Sequence, residues 1–83
     1  MFGTSKVVNY TQQNSRVILS INLINYRKEA HISREKFAEL CDLSQRHVTN
    51  MEKCKVSITL DTLDKIAEGT KLPITYWLAL HIK

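Results

Sequence analysis

The chain has 83 residues, which predicts one domain with a single core and no added ligand-sensing domain. Its 12 Lys and Arg against 8 Asp and Glu give a net charge of +4, which is compatible with a polyanionic partner. No signal peptide or bilayer-length apolar run is present, and the two cysteines lack metal-ligand spacing with the histidines. We therefore expect a soluble cytoplasmic protein with reduced thiols, no metal and no cofactor.

Residues 1–13 are predicted to be a leader that precedes a domain of residues 14–83. The leader contains a short alternation of polar and apolar side chains at residues 6–11. Such an alternation is typical of a strand, but an arm or a disordered segment fits the same residues. The sequence leaves these three alternatives open.

A first helix is predicted from about residue 14 to residue 30. Its core-facing stripe has apolar residues at spacings of four, three and four: Leu19, Leu23, Tyr26 and Ala30. At ~100° per residue, a second apolar stripe lies on nearly the opposite side: Val17, Ile21 and Ile24. Because a helix that is apolar on two sides needs two partners, the second stripe is a candidate association interface, and the C-terminal segment from Tyr76 to Ile82 is another. The alternative is that the leader folds over this stripe within one chain.

Residues 33–52 predict two short helices joined by a tight turn. Ser33 and Ser44 are predicted N-caps, because a hydroxyl there accepts free backbone N–H groups of the first helical turn. Apolar residues are expected to point inward from the two helices: Phe37, Ala38, Leu40 and Cys41, then Val48 and Met51. The second helix is left with a polar outer face: Gln45, Arg46, Thr49 and Asn50.

Two more helices are predicted after a loop at residues 54–58. Thr59 is a predicted N-cap, Gly69 a left-handed stop, and Pro73 a residue near the start of the last helix. The inner face of the fourth helix is expected to carry four apolar residues: Leu60, Leu63, Ile66 and Ala67. The fold class is therefore all-α, with five helices and a short N-terminal arm or strand.

The ordered series from Leu19 to Leu78 resembles the phage-repressor and Cro type of helix-turn-helix domain, the XRE family. The resemblance rests on a small residue at Ala38, a turn at residues 42–44 and an inward branched residue at Val48. It implies a lambda-repressor-like bundle and a sequence-specific transcriptional repressor that binds a palindromic double-stranded DNA operator as a homodimer. The second helix of the motif, around residues 45–53, would read the major groove.

The resemblance also implies roles for individual residues. Bases would be read by Gln45, Arg46 and Asn50, with Thr49 on the same side, because Gln and Asn pair with adenine and Arg with guanine. Phosphate-contacting positions fall on four residues: Arg34, Ser44, Lys55 and Ser57. A capping role alone explains Ser44 equally well. Arg27 and Glu52 match a structural ion pair that fixes the first helix against the recognition helix.

The chain departs from the family pattern near the motif. Asp42 replaces the usual small residue of the turn, Cys54 replaces a Gly, and Ile58 replaces a Pro. Cys tolerates a positive φ poorly, so the loop around Lys55 to Ser57, with its phosphate contacts, is where we expect the geometry to depart from that of the family. An alternative function is an antitoxin-like or anti-repressor module whose main ligand is another protein. No set of residues matches a nucleophile with its base, so we do not expect an enzyme.

Overall fold

The computed structural model describes the backbone of residues 4–79 and 81, and the side chains of residues 15–79 and 81. In that part of the chain the regular elements are five α-helices: α1 (Thr4–Ala30), α2 (Arg34–Cys41), α3 (Gln45–Glu52), α4 (Leu60–Thr70) and α5 (Ile74–Trp77). Helix α1 packs against α3 and α5, α2 packs against α3 and α4, and α4 packs against α5. The prediction of an all-α bundle of five helices is confirmed.

Helix α1 begins at Thr4, well before the predicted start near residue 14. The strand considered for residues 6–11 is therefore wrong, and the boundary drawn after residue 13 falls inside α1. The physical reason is that neither Gly nor Pro interrupts the chain between Thr4 and Ala30. Once a helix has nucleated, each added residue gains one backbone hydrogen bond for one residue fixed, whereas the first turn fixes three residues for one bond. Residues 1–3 of the predicted leader lie outside the described residues.

Three predicted N-caps are confirmed by their hydrogen bonds. The side-chain hydroxyls of Ser33, Ser44 and Thr59 each accept the backbone N–H of the residue three positions later, at 3.0, 3.0 and 3.1 Å. All three caps have extended backbone angles, as this position requires. The start of each of these three helices is thus fixed by a hydroxyl and a backbone N–H that are only three residues apart.

The ends of α1 to α4 are left-handed, and none of them uses glycine. His31, Asp42, Cys54 and Lys71 have φ between 56° and 63°. A non-glycine residue in this conformation carries a steric cost of about 1–2 kcal/mol, which Asp bears more easily than Cys or Lys. The bundle therefore holds backbone strain at four helix ends.

Gly69 does not end α4, contrary to the prediction. It lies inside the helix, and Lys71 adopts the left-handed conformation instead. A Cβ atom at position 69 would lie 2.5 Å from the backbone oxygen of Leu40 and 2.9 Å from Cys41 Cα. Since such distances are too short for non-bonded atoms, Gly69 allows the close approach of α4 to α2.

The core lies among α1 to α5 and, among the described side chains, contains ten buried apolar residues: Leu19, Leu23, Phe37, Ala38, Cys41, Val48, Met51, Leu63, Ile66 and Trp77. The rings of Tyr26, Phe37 and Trp77 contact one another, with centroids 5.6 to 6.3 Å apart. Such aromatic clusters contribute to the stability of the fold beyond the area that they bury.

Burial raises the pKa of the Cys41 thiol to about 11, so this core cysteine remains a neutral thiol near neutral pH.

Three residues predicted to face the core are exposed. Leu40 and Leu60 are 42% and 77% exposed, and Ala30 is exposed at the end of α1. On α2 the buried arc passes through Phe37 and Cys41, and Leu40 lies to one side of it. Leu60 is the first residue of α4 and precedes the part of the helix that reaches the core.

Asn22 is a buried polar residue that ties α1 to the C-terminal turn. Its Nδ2 donates hydrogen bonds to the backbone oxygens of Trp77 and Ala79, each at 2.9 Å. Asn22 is only 3% exposed, so these bonds satisfy an amide that water does not reach.

No helix in the described part of the chain is long and apolar enough to cross a membrane.

Candidate nucleic-acid interface

Helix α3 has a buried face and a polar face. Val48, Met51 and Glu52 are buried. The four residues predicted to read bases lie together within an arc of about 140° on the other side: Gln45, Arg46, Thr49 and Asn50. The first two are exposed in the first turn, and the last two are half-buried one turn later. The structure thus brings these four polar side chains onto one surface.

Ser44, at the start of α3, is exposed, and its hydroxyl accepts the backbone N–H of His47 at 3.0 Å. This bond confirms the capping role and leaves the hydroxyl proton of Ser44 free to donate. His47 is half-buried beside the polar face. The exposed start of α3 therefore offers the hydroxyl proton of Ser44 and the side chains of Gln45 and Arg46 to a ligand.

The buried carboxylate of Glu52 ends α3 and receives two arginines. Arg27 contacts it with two nitrogens, Nε to Oε2 at 2.6 Å and Nη2 to Oε1 at 3.0 Å. Arg34 donates from Nε to Oε1 at 2.8 Å. Arg27 also reaches the backbone oxygen of Ile32 at 3.3 Å. This arrangement, called the Glu52 cluster below, joins α1, the start of α2 and the end of α3.

The Glu52 cluster remains charged despite its burial. The Glu52 side chain is 1% exposed, and burial by itself raises the pKa of a carboxyl group. Hydrogen bonds from Arg27 and Arg34 outweigh that effect and hold the pKa of Glu52 below its ordinary value. The hydrogen bond with Glu52 in turn raises the pKa of Arg27. Two positive charges and one negative charge leave the cluster with one net positive charge.

Arg34 is exposed, as its predicted phosphate contact needs, but it also has a protein partner that was not predicted. It is the first residue of α2, and its side chain is 42% exposed, as a phosphate contact requires. Its Nε is bound to Glu52, which was not predicted. Since a guanidinium has five N–H donors in a planar fork, the Nη groups keep donors for an outside ligand. Glu52 thereby holds Arg34 in a fixed orientation without using all of its donors.

The loop after α3 contains the remaining predicted phosphate contacts, Lys55 and Ser57, and both are exposed. Lys55 N–H donates to the Asn50 carbonyl at 2.9 Å, and Cys54 N–H donates to the Met51 carbonyl at 3.1 Å. With Cys54 at φ 59°, these two bonds form a Schellman motif, the common left-handed helix ending. The left-handed ending of α3 therefore forms without a glycine, and its positive φ places strain on Cys54.

Two further polar residues of α1 contact the end of α3 or its loop, and neither was predicted. Ser20 is buried and donates from Oγ to the Glu52 carbonyl at 2.6 Å. Arg16 is exposed and donates from Nη2 to Ser57 Oγ at 2.8 Å. Both lie on the same side of α1 as Arg27, seven and eleven positions before it, and this helical spacing is the only sequence signal that could have pointed to them.

The second apolar stripe of α1 is partly open. Val17 is 42% exposed and Ile21 is 37% exposed, whereas Ile24 is half-buried. The leader that was the alternative cover for this stripe falls on residues whose side chains lie outside the described part of the structure. Within the described side chains, the face of α1 at Val17 and Ile21 is available to a partner.

The fold and its two-helix unit define a helix-turn-helix domain. A protein-family model described as Helix-turn-helix matches residues 23–77, from the last third of α1 to the end of α5. This chain belongs to that family, the XRE type with Cro- and repressor-like members. The family consists of DNA-binding transcriptional regulators. No curated protein and no solved structure matches the chain.

Proposed function

We propose that the chain is a sequence-specific transcriptional repressor that reads the DNA major groove with α3. The observation that carries this proposal is that α3 has two different faces. One face is anchored by the Glu52 cluster, and the other presents amide and guanidinium side chains. Base edges are recognised by such groups, Gln45 and Asn50 on adenine and Arg46 on guanine. A recognition helix must also be rigidly held, because base hydrogen bonds tolerate little displacement.

Contacts to the DNA backbone set the register of such a helix without reading sequence. We assign this role to Arg34 and Ser44 at the starts of the two motif helices, and to Lys55 and Ser57 after α3. The support for Arg34 is its held and half-exposed guanidinium, which matches the geometry of two phosphate oxygens. The support for Ser44 and Lys55 is their exposure on either end of α3.

Binding-site selection from random DNA, performed at two salt concentrations, tests this function. We expect a palindromic consensus and an affinity that falls steeply with salt, because phosphate contacts release counterions. Equal affinity for all sequences would contradict base reading by α3. Biological activity that survives combined replacement of Arg46 and Asn50 by Ala would favour the protein-binding module instead.

We further propose that two copies bind the palindrome through the exposed stripe of α1. One domain of this type reads only a few base pairs, so dimers on half-sites one helical turn apart supply the specificity. Val17 and Ile21 support the assignment, because exposed apolar side chains grouped on one helix often mark an association site.

Sedimentation measurements test the dimer. Ile21→Glu should convert a dimer into a monomer, whereas Leu60→Glu, at a more exposed leucine on α4, should leave the mass unchanged. A wild-type protein that is monomeric both free and on its operator would contradict this interface.

A further inference from the structure

One side of α1 carries a line of polar residues that faces the end of α3 and the following loop. Arg16, Ser20 and Arg27 are separated by four and seven positions, so they lie within about 40° of one another around the helix. Ser20 donates to the backbone oxygen of Glu52, and Arg27 donates to the Glu52 carboxylate. These two residues hold the end of α3 in place.

Arg16 differs from its two neighbours on this line, because it is exposed and binds the loop rather than Glu52. Its Nη2 donates to Ser57 Oγ, and its own backbone oxygen lies 3.7 Å from the Cys54 thiol. Among the residues that the structure describes, no carboxylate forms an ion pair with Arg16. Its positive charge is therefore not balanced by a described carboxylate beside the loop that carries Lys55 and Ser57.

The bond to Ser57 fixes the direction of the Arg16 side chain and uses one of five N–H donors. The remaining donors and the charge suit a group with several anionic oxygens, and a guanidinium fork matches two oxygens of one phosphate. The hydroxyl partner of Arg16 is neutral, so the Arg16–Ser57 pair is positive, and Ser57 lies two residues after Lys55 in the same exposed loop. A duplex docked on α3 would bring its phosphodiester backbone next to the loop after that helix.

We propose that Arg16 is a further DNA phosphate-contacting residue, which reaches the backbone from α1 and is positioned by Ser57. This inference rests on the proposed function. It also gives Ser57 a second role beside its proposed phosphate contact, because Ser57 Oγ accepts from Arg16 and orients this side chain. The contact adds affinity for any duplex and does not select a sequence, since phosphates are common to all sequences.

Arg16→Gln tests the proposal, because Gln can still donate to Ser57 but has no charge. The Kd is measured by fluorescence anisotropy over a series of salt concentrations, on the selected operator and on a mixed-sequence duplex of equal length. We expect binding about tenfold weaker on both duplexes. The slope of log K against log salt should become shallower by about 0.9 for each subunit bound.

Three companion variants separate charge from folding. Arg16→Lys should keep the salt slope, and Ser57→Ala should weaken binding less than Arg16→Gln while leaving the slope unchanged. Lys65→Gln, on α4 beside Asp42, removes one positive charge elsewhere and should change binding far less. Thermal melting of each variant reports whether the bundle is still folded.

The outcomes for Arg16 and for the proposed function are distinct. If Arg16→Gln behaves like Lys65→Gln while the wild type binds with a steep salt slope, the Arg16 contact is wrong and the proposed function stands. If the wild type binds neither duplex in a salt-dependent manner, both proposals are wrong. An unchanged salt slope in a folded Arg16→Gln protein is sufficient to reject the phosphate contact.

Discussion

The two sides of the helix-turn-helix unit are held by different kinds of contact. On one side, α4 approaches α2 so closely that only the missing side chain of Gly69 allows the backbones to fit. On the other side, α1 holds the end of α3 through hydrogen bonds from Ser20 and Arg27 to Glu52. Close packing sets how near two helices lie, whereas directed hydrogen bonds also set how one is rotated against the other. We infer that the α4 side mainly stabilises the fold and the α1 side mainly orients α3.

The largest effect is expected from Gly69→Ala. In an open helix this change stabilises by about 0.5–1 kcal/mol, but here the new Cβ meets backbone atoms of α2. We expect the free energy of unfolding to fall by about 3 kcal/mol, at the upper end of the usual cost of overpacking. Chemical denaturation measures it. Glu68→Ala, at the exposed neighbouring position, is the control, and stabilisation by Gly69→Ala would show that α4 does not approach α2 this closely.

Glu52→Gln tests the α1 side of the helix-turn-helix unit. It leaves Arg27 and Arg34 without their charged partner, a kind of change that commonly costs 3–5 kcal/mol when the pair is buried. We expect about 2 kcal/mol, because the Arg34 side chain is 42% exposed and Gln keeps one acceptor. Operator affinity should fall as well, since α3 loses its orientation. The control is Glu39→Gln, which breaks an exposed pair with Lys36.

The assignment of the Glu52 cluster as the contact that orients α3 is contradicted by one result. If Glu52→Gln leaves both the melting temperature and the operator affinity unchanged, the Glu52 cluster does not fix α3. A loss of stability with full operator affinity in the folded protein would restrict the cluster to a general stabilising role.

The pH dependence of stability gives a smaller effect from the same cluster. The folded pKa of Glu52 is lowered, so the folded state binds fewer protons there than the unfolded state. Its stabilising contribution is full above the ordinary pKa of 4.5 and is lost as the pH falls through the folded value. Between about pH 6 and about pH 3, the wild type should lose more stability than Glu52→Gln. Parallel pH profiles for the two proteins would exclude this linkage.

Cys54→Gly should have the smallest effect and the opposite sign. Glycine removes the strain at φ 59° but increases the freedom of the unfolded chain. We expect a net stabilisation of about 0.5–1 kcal/mol, measured by thermal unfolding. Lys53→Gly is the matched control, because Lys53 has an ordinary φ of −92° and gains nothing from glycine. Destabilisation by both changes would argue against strain at Cys54.

The parts of the fold that were predicted correctly depend on residues close in sequence. Ser33, Ser44 and Thr59 cap helices through backbone groups three residues away, so a short stretch of sequence contains both partners. The polar face of α3 follows in the same way from helical spacing within eight residues. Local chemistry of this kind is directly readable.

The parts that were missed depend on partners from distant segments. Gly69 was predicted to end α4, because the backbone of Leu40, whose closeness requires a glycine there, lies on another helix. The contact of Arg34 with Glu52 joins residues 18 positions apart, and that of Arg16 with Ser57 joins residues 41 positions apart. Helical spacing places Arg16 and Ser20 on the Arg27 face of α1, but only packing shows what that face meets.

We propose that α3 reads base edges from a position fixed by α1. The ratio of affinities for the selected operator and a mixed-sequence duplex, measured for Asn50→Ala, tests it most directly. We predict that operator binding weakens by about 1–3 kcal/mol while mixed-sequence binding is unchanged, so the ratio falls. Asn25→Ala, the same substitution on α1, should leave the ratio at the wild-type value. An unchanged ratio for Asn50→Ala, or an equal loss on both duplexes, would contradict base reading by this residue.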